Sequence, residues 1–204
     1  MNDAMKKLLI LFALLIAAGA QAQEKMIIRE TFETNRLRWD EAFEKDYSIG
    51  LMDGYFELKN NRKDYLIRTV TELPINPEAN FKVTSKFTVP KFNDDCYFGI
   101  IFNYEDENNY SYFLVTEKKF KLYNRVNGEV SLSRQNSIIL NAGKNKEIVI
   151  DMEKKGRKLI FNVDEMEAIT ITKDMKYNTF GFIVVDDNTV KVNEVIIEQM
   201  VDDE

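Results

Sequence analysis

Three short acidic stretches have the residue types and spacing that could support metal binding or acid–base chemistry. They are Asp94-Asp95, Glu105-Asp106-Glu107 and Asp186-Asp187-Asn188. Calcium takes carboxylate and carbonyl oxygens in proteins, but six to eight of them must converge on the ion from several directions. Carboxylates adjacent in one turn cannot all point at one ion, so a solvated turn is the favoured interpretation of residues 105–107. Asp186 and Asp187 are the better candidates for a structural calcium, because a second chain segment could meet them.

The same acidic residues are weak candidates for general acid–base catalysis. A catalytic carboxyl group needs burial or a fixed partner that shifts its pKa. An exposed hairpin tip at Glu105 and Glu107 would offer neither. The sequence therefore predicts a hydrophilic turn at this tip. We predict no catalytic residue.

The composition excludes most other catalytic designs. The sequence has no histidine and a single cysteine, Cys96. Ser-His-Asp and Cys-His nucleophiles, His-ligated zinc or copper, and thiolate metal sites are thereby excluded. The formal net charge is −6, so the chain has no electrostatic footprint for nucleic acid or for an anionic membrane surface. We expect a protein that is more of a binding module than an enzyme.

Residues 1–22 have the features of a secretory signal peptide. Lys6 and Lys7 precede an apolar run over residues 8–18, and Ala20-Gln21-Ala22 gives a small-x-small cleavage pattern. The apolar run is too short to span a bilayer. We therefore expect a secreted or periplasmic protein without stable membrane insertion after cleavage, and a single domain over residues 23–204.

The elements that must position any site are short strands. Runs rich in Val, Ile, Phe, Tyr and Thr alternate with turns of Asn, Asp, Gly and Lys. Such spacing predicts an all-β fold, a jelly-roll sandwich of two antiparallel sheets. The segment 33–46, which contains Trp39, could hold a helical turn. The predicted strands are 26–32, 54–59, 64–71, 80–89, 96–104, 109–116, 119–126, 128–133, 146–152, 157–163, 167–172, 179–185 and 189–199.

Two hairpins fix which side chains share a face. If residues 105–108 form a four-residue loop, Tyr104 lies opposite Asn109; the next turn, at Glu117-Lys118, places Thr116 opposite Lys119. Side chains alternate across a sheet, so these registers sort the three strands into two faces. One face is apolar and is predicted to be buried: Phe98, Ile100, Phe102, Phe113, Val115, Phe120 and Leu122. The opposing layer is predicted from Ile148, Ile150, Leu159, Phe161, Val163, Phe180, Phe182 and Val184.

The opposite face combines tyrosines with amide and cationic side chains. It gathers Tyr97, Gly99, Ile101, Asn103, Tyr110, Tyr112, Leu114, Lys121, Tyr123 and Arg125. Tyrosine rings can stack on the apolar side of a pyranose, while Asn, Lys and Arg can donate hydrogen bonds to hydroxyl groups. The alternative is an outer or loop-covered sheet surface on which Tyr occurs for its β-propensity. The predicted ligand-binding residues are Tyr97, Asn103, Tyr110, Tyr112, Lys121, Tyr123 and Arg125.

The order of segments from Ile27 to Ile197 resembles the laminin-G-like, concanavalin A-like lectin/glucanase superfamily, and within it the bacterial secreted domains of the 3-keto-disaccharide hydrolase type. The segments that carry it are "YFGIIFNYEDENNYSYFLV" (97–115), "KLYNRVNGEV" (121–130), "AGKNKEIVIDMEKKGRKLIFNVD" (142–164) and "TFGFIVVDD" (179–187), after an early Phe32 and Trp39. The late turn departs from the pattern, because Asn162-Val163-Asp164-Glu165 replaces an Asn-Gly turn.

The resemblance implies a fold that serves lectins, adhesion modules, polysaccharide lyases and glycosidases, so it does not by itself give the function. Glycosidases of this fold carry an E-x-D-x-x-E or E-x-D-x-E run on one strand. The sequence offers only Glu105-x-Glu107 in a turn and Asp151-x-Glu153 beside one. We expect a non-catalytic module that binds glycan or another extracellular ligand. The alternatives are a structural or protein-interaction domain of an envelope assembly and, after it, a carboxylate-dependent glycoside hydrolase.

Overall fold

A computed structural model describes residues 25–200 of the chain, without the side chain of Met200. The predicted signal peptide, residues 1–22, lies outside this range. Fifteen strands and no helix occur within it. The strands are β1 (Lys25–Glu30), β2 (Ala42–Phe43), β3 (Tyr47–Met52), β4 (Tyr55–Asn60), β5 (Leu66–Glu72), β6 (Phe81–Phe92), β7 (Tyr97–Asp106), β8 (Asn109–Val115), β9 (Lys119–Val126), β10 (Glu129–Ser137), β11 (Gly143–Lys155), β12 (Lys158–Val163), β13 (Met166–Thr172), β14 (Thr179–Val185) and β15 (Asn188–Met200).

The strands form two antiparallel sheets that pack face to face. The larger sheet has nine strands in the order β13-β12-β11-β6-β15-β4-β3-β2, and β1 pairs with β15 beside this path. The smaller sheet has six strands in the order β10-β9-β8-β7-β14-β5. The prediction of an all-β, two-sheet antiparallel jelly-roll sandwich is confirmed. Within residues 25–200 there is no helix long and apolar enough to cross a membrane.

The predicted core face is confirmed, because all seven of its side chains are at most 1% exposed. Its rings meet the other sheet directly: Phe161 on β12 lies 5.1 Å from Phe102 and 5.0 Å from Phe113, measured between ring centroids. The assignment of Phe180, Phe182 and Val184 to the opposing layer is wrong. They lie on β14, which pairs with β7 and therefore extends the same layer. Chain order does not reveal which strands pair across long connections.

Apart from the two-residue strand β2, the segment between β1 and β3 has only bends and a turn, so the helical turn predicted within residues 33–46 is wrong. Side-chain hydrogen bonds hold it instead. Asn35 accepts from the Trp39 backbone N–H at 2.8 Å and donates to the Trp39 carbonyl at 2.9 Å, and Glu30 accepts from the N–H groups of Phe32 and Leu37. These bonds place the Trp39 ring in the core, stacked on Phe182 with centroids 4.6 Å apart.

The two predicted hairpin registers are confirmed over their regular parts. Residues 98–102 pair with 111–115 as predicted, and the Thr116 N–H donates to the Lys119 carbonyl at 2.9 Å. The four-residue loop is wrong, because Asp106 pairs with Asn109 and leaves a two-residue turn. A bulge precedes it, where Asn103 has a φ of 51°. Asparagine tolerates this left-handed conformation better than most residues, and the bulge re-aims the hairpin tip.

Candidate functional site

Six of the seven predicted ligand-binding residues lie together on the outer side of the six-stranded sheet. We call this surface the tyrosine face and define it by Tyr97, Tyr110, Tyr112, Lys121, Tyr123 and Arg125. The register explains the grouping, because Tyr112 lies directly opposite Tyr123 and Tyr110 directly opposite Arg125. Side chains directly opposite one another in an antiparallel pair point to the same side.

The tyrosine rings form a continuous row across β7, β8 and β9. Ring centroids lie 5.5 Å apart for Tyr104 and Tyr110, 5.7 Å for Tyr110 and Tyr112, and 5.0 Å for Tyr112 and Tyr123. The last pair is stacked, with an angle of 16° between the ring planes. Tyr110 is 4% exposed and Tyr112 6% exposed, whereas Tyr97 and Tyr123 are partly exposed. The buried rings therefore support the row, and Tyr104 and Tyr123 at its two ends are partly exposed to solvent.

Below the rings lies a small hydrophobic cluster that is separate from the sandwich core. Ile101, Leu114 and Ile183 form its buried base, with Leu66, Val70 and Val185 packed beside them. These residues come from four strands that are not consecutive in the chain, β5, β7, β8 and β14. Burial of apolar side chains on the outside of a sheet holds the tyrosine row in place.

The tip of the β7–β8 hairpin lies over this hydrophobic cluster and covers part of it. Glu107 at the tip forms an ion pair with Arg68 of β5, with Oε1 and Nη2 3.3 Å apart. The Arg68 guanidinium lies 5.5 Å from the centre of the Tyr110 ring, although β14 and β7 separate β5 from β8 in the sheet. The bulge at Asn103 directs the hairpin tip toward β5. The tip therefore forms one edge of the tyrosine face.

Two glycines bring the backbone strands under the face unusually close together. Gly99 and Gly181 both lie on this side of the sheet, opposite Ile183 and Ile101. A Cβ atom at Gly99 would lie 1.8 Å from the Phe113 carbonyl oxygen, and one at Gly181 would lie 2.1 Å from the Thr69 carbonyl oxygen. Only glycine fits positions where another backbone approaches so closely.

Cationic side chains flank the exposed tyrosines. Lys121, Tyr123 and Arg125 alternate along β9, so all three point to this side. The Lys121 Nζ lies 5.0 Å from the centre of the Tyr97 ring, and the Arg125 guanidinium lies 5.9 Å from that of Tyr110. Both distances are within the range of cation–π attraction. The Arg125 Nε is buried and has no hydrogen-bond partner among the described residues.

Tyr112 and Tyr123 are neutral hydrogen-bonding groups at ordinary pH. Burial, followed by the neighbouring Tyr110 and Tyr123, raises the pKa of Tyr112 to about 12. Burial also raises the pKa of Tyr123. Neutral phenols can both donate and accept hydrogen bonds. The face therefore combines ring surfaces, hydroxyl groups and fixed cations.

Asn103, the seventh predicted ligand residue, is used differently. Its Oδ1 accepts from the backbone N–H groups of Lys176 at 2.7 Å and Tyr177 at 3.2 Å. The side chain thus fastens the connection between β13 and β14 to the bulge instead of joining the tyrosines. Alternation in sequence placed it on the face, and the bulge that changes its direction leaves no clear pattern in the sequence.

The acidic tip is a turn, as the sequence predicted. Hydrogen bonds from the Asn108 backbone and the Asn109 side chain lower the pKa of Asp106, and the Asn108 bond measures 2.7 Å. Glu107 is occupied by Arg68. A hydrogen bond to Glu105 is the main cause of a raised pKa of Tyr177. Asp106 therefore stabilises the turn itself, whereas Glu105 and Glu107 attach the hairpin tip to the β13–β14 connection and to β5.

The calcium candidates Asp186 and Asp187 line a cleft of about 650 Å³ at one end of the sandwich, together with Asp64, Asp95 and Tyr97. Asp186 Oδ1 accepts from the Asp64 N–H at 2.7 Å, in a turn where Asp186 has a φ of 62°. Within residues 25–200 no three acidic side chains are grouped closely enough to hold a metal ion. Calcium binding at this end stays a prediction.

The Asp151-x-Glu153 pair lies on the nine-stranded sheet, where lysines neutralise it. Asp151 accepts from the Thr84 hydroxyl at 2.6 Å and pairs with Lys82 at 3.0 Å. Glu153 pairs with Lys155 at 2.9 Å. This pair belongs to the charged outer surface of that sheet.

The tyrosine face also extends onto β10, which the sequence reasoning missed. Val130 lies opposite Arg125 and Leu132 opposite Tyr123, and these two apolar side chains are 50% and 51% exposed. The Asn127-Gly128 turn is typical of a tight hairpin, and its register alone would have predicted this pairing. Arg68 and Ile183, by contrast, could be placed here only by the strand order.

No protein-family model matches the chain, and no curated protein sequence matches it. Solved structures do resemble it. A protein of unknown function with a galectin-like fold from Bacillus subtilis matches with 10% identity and a TM-score of 0.64, over 86% of this chain and 96% of that one. The CBM2 module of the evolved Dit of Lactobacillus casei BL23 phage J-1 matches with 12% identity and a TM-score of 0.60, over 89% and 99%.

The catalytic domain of an endo-1,3-beta-glucanase (laminarinase) from Thermotoga petrophila also matches, with 6% identity and a TM-score of 0.55, over 89% of this chain and 100% of that one. At these identities the likenesses show the fold alone. The chain thus has a β-sandwich fold similar to those of a galectin-like protein, a CBM2 module and a laminarinase catalytic domain. The narrower resemblance to domains of the 3-keto-disaccharide hydrolase type stays a prediction.

Proposed function

We propose that this protein is an exported, non-catalytic module that binds glycan on the tyrosine face. Export rests on the predicted signal peptide. The observation that carries the binding proposal is the Tyr112–Tyr123 stack, in which a buried ring packs face to face against a partly exposed ring on the outer side of the sheet. Support also comes from the fold, which the chain shares with a CBM2 module.

The chemistry of the face suits a sugar ring. The apolar side of a pyranose can lie on Tyr123, because aromatic rings bury large area with little loss of side-chain freedom. Lys121 and Arg125 lie two residues to either side of Tyr123 on the same strand and can donate to hydroxyl groups. Tyr97 offers a second ring beside Lys121. Several rigid rings with adjacent donors give both affinity and orientation.

A glycan array probed with the wild type and with Tyr123→Ala tests the proposal. Tyr123 is partly exposed, so its loss removes a contact surface without opening the sandwich core. Phe43→Ala is the matched control, because Phe43 is 60% exposed and lies on β2 of the other sheet. We expect wild type and the control to bind the same glycans and Tyr123→Ala to lose them. The absence of any glycan signal, or an equal signal for all three proteins, would contradict the proposal.

A second candidate function is attachment to a protein partner, and the exposure of Val130 and Leu132 on β10 favours it. β10 is the edge strand of the six-stranded sheet, and an edge strand with exposed apolar residues can pair with another chain. A second copy of this protein is the simplest such partner. Size-exclusion chromatography with light scattering would detect it. A dimer that Leu132→Lys converts to monomer would favour this function over glycan binding.

A further inference from the structure

The charges around the tyrosine face differ in sign from those of the chain as a whole. The chain has 34 acidic and 28 basic residues and a formal net charge of −6. On β8, β9 and β10, however, the charged side chains that point to the tyrosine face are Lys119, Lys121 and Arg125, all of them cationic. A local cluster of one sign focuses the field and attracts ligands of the opposite sign.

Two of these cations have no carboxylate partner in the part of the chain that the structure describes. Among residues 25–200, neither Lys121 nor Arg125 takes part in an ion pair, whereas Lys25, Lys82 and Lys86 on the nine-stranded sheet are all paired with carboxylates. Both cations instead lie over tyrosine rings, at 5.0 Å from Tyr97 and 5.9 Å from Tyr110. These contacts leave their hydrogen-bonding directions free for a ligand.

Arg125 gives a second, independent indication. Its Nε is buried and has no hydrogen-bond partner among the described residues, and a buried donor without a partner is costly. Because Nε is enclosed, a ligand oxyanion would meet the outer Nη atoms of the guanidinium, and Arg binds carboxylate and sulfate-like groups through paired N–H donors. Two carboxylates of the β7–β8 hairpin tip are already engaged, Glu107 by Arg68 and Glu105 by Tyr177.

We propose that the ligand of the tyrosine face is an acidic glycan, one whose carboxylate or sulfate groups bind Arg125 and Lys121 while a sugar ring stacks on Tyr123. This inference rests on the proposed glycan-binding function and adds the ligand class. Along β9, same-face side chains are separated by about 7 Å. The two cations therefore stand on either side of the ring, one toward each end of the bound segment.

The test is an array of matched pairs in which each acidic oligosaccharide is printed beside its neutral counterpart. Oligogalacturonides beside their methyl esters test carboxylate, and sulfated dextran oligomers beside unsulfated ones test sulfate. Polyglutamate of similar charge tests attraction to any polyanion. The probes are the wild type, Lys121→Gln/Arg125→Gln, and the control Lys59→Gln/Lys155→Gln, which makes the same charge change on exposed positions of the nine-stranded sheet.

We expect the wild type and the control to prefer one acidic series by roughly tenfold or more, since a hydrogen bond to a charged group typically supplies that much discrimination. The preference should fall as salt is raised and should vanish in Lys121→Gln/Arg125→Gln, which should bind the acidic and the neutral member of each pair equally. The series that binds identifies carboxylate or sulfate as the recognised group.

Three results would overturn the inference: equal binding of acidic and neutral partners, an acidic preference that survives in Lys121→Gln/Arg125→Gln, or polyglutamate binding as tightly as the acidic glycan. In each of these cases, loss of glycan binding by the Tyr123→Ala variant would still support the proposed glycan-binding function. Binding of no glycan at all would overturn both proposals together. Circular dichroism melts of all three proteins show whether any loss of binding comes from unfolding.

Discussion

Tyr112 on β8 and Tyr123 on β9 lie directly opposite each other, and their rings stack with centroids 5.0 Å apart and planes inclined by 16°. One ring is buried and the other is partly exposed, so the pair acts as a fixed platform on the outside of the sheet. The glycine contacts below it, the folded-over hairpin tip and the cations on β9 all depend on the same strand register.

Gly99→Ala should destabilise the protein. The added methyl group would lie 1.8 Å from the Phe113 carbonyl oxygen, so β7 and β8 would have to move apart, at a cost of about 1–3 kcal/mol in the free energy of unfolding. Gly143→Ala is the control, because a Cβ there meets nothing within 4 Å. Urea denaturation measures both. Equal stability of the two variants would mean that the close approach at Gly99 does not exist in solution.

The buried tyrosine should make stability depend on alkaline pH. The pKa of Tyr112 rises from 10.0 to about 12 in the folded protein. Its contribution to stability is therefore complete below pH 10 and is lost as the pH rises toward about 12. Unfolding free energies of wild type and Tyr112→Phe, measured across this range, should show a shallower loss for the variant. Parallel curves for the two proteins would contradict the assigned burial.

Asn103 should stabilise the connection between β13 and β14 through its two hydrogen bonds to backbone N–H groups. Asn103→Ala removes the acceptor and also strains a backbone with a φ of 51°. We expect a loss of about 1–3 kcal/mol and faster hydrogen exchange at the Lys176 and Tyr177 amides. Asn103→Gly separates the two effects, because glycine accepts this φ but lacks the acceptor. Unchanged amide exchange in both variants would refute the role.

Trp39 should be a major contributor to the core although its segment has no regular structure. It is 2% exposed and stacks on Phe182 at 4.6 Å. Trp39→Ala should cost about 3–5 kcal/mol. Trp39→Phe should cost less, because it keeps a ring and removes an indole N–H that has no partner among the described residues. Thermal melts rank the variants, and a Trp39→Ala melting temperature equal to wild type would contradict this packing.

The sequence predicted this fold well where structure is local. Alternation along β7, β8 and β9, together with two hairpin turns, was enough to separate Phe102 and Phe113 in the core from Tyr110 and Tyr112 on the outer face. Side chains of a hairpin are sorted by period two and by the turn alone. The bulge at Asn103 was not predictable. A bulge adds residues to one strand, but the apolar and polar residues of the sequence around Asn103 do not mark where the extra residues lie.

Long-range strand order was the other part that could not be predicted. β14 pairs with β7, and β5 pairs with β14, so Phe182 joins the predicted core layer and Arg68 reaches Tyr110. Neither contact follows from spacing, because many strand orders bury the same alternating pattern. The solvent exposure of individual tyrosines could not be predicted either. Tyr112 and Tyr123 occupy equivalent positions in the sequence pattern and differ only in the residues that surround them.

The location of the bound ligand tests the central proposal most directly. Backbone amide resonances of the protein can be followed by NMR while a glycan that binds on the array is added. Glycan binding on the tyrosine face predicts that the largest shifts fall on β8 and β9, around Tyr112 and Tyr123, and that Tyr123→Ala abolishes them. Shifts concentrated instead around Lys63, Asp186 and Asp187, in the cleft at the end of the sandwich, would contradict it.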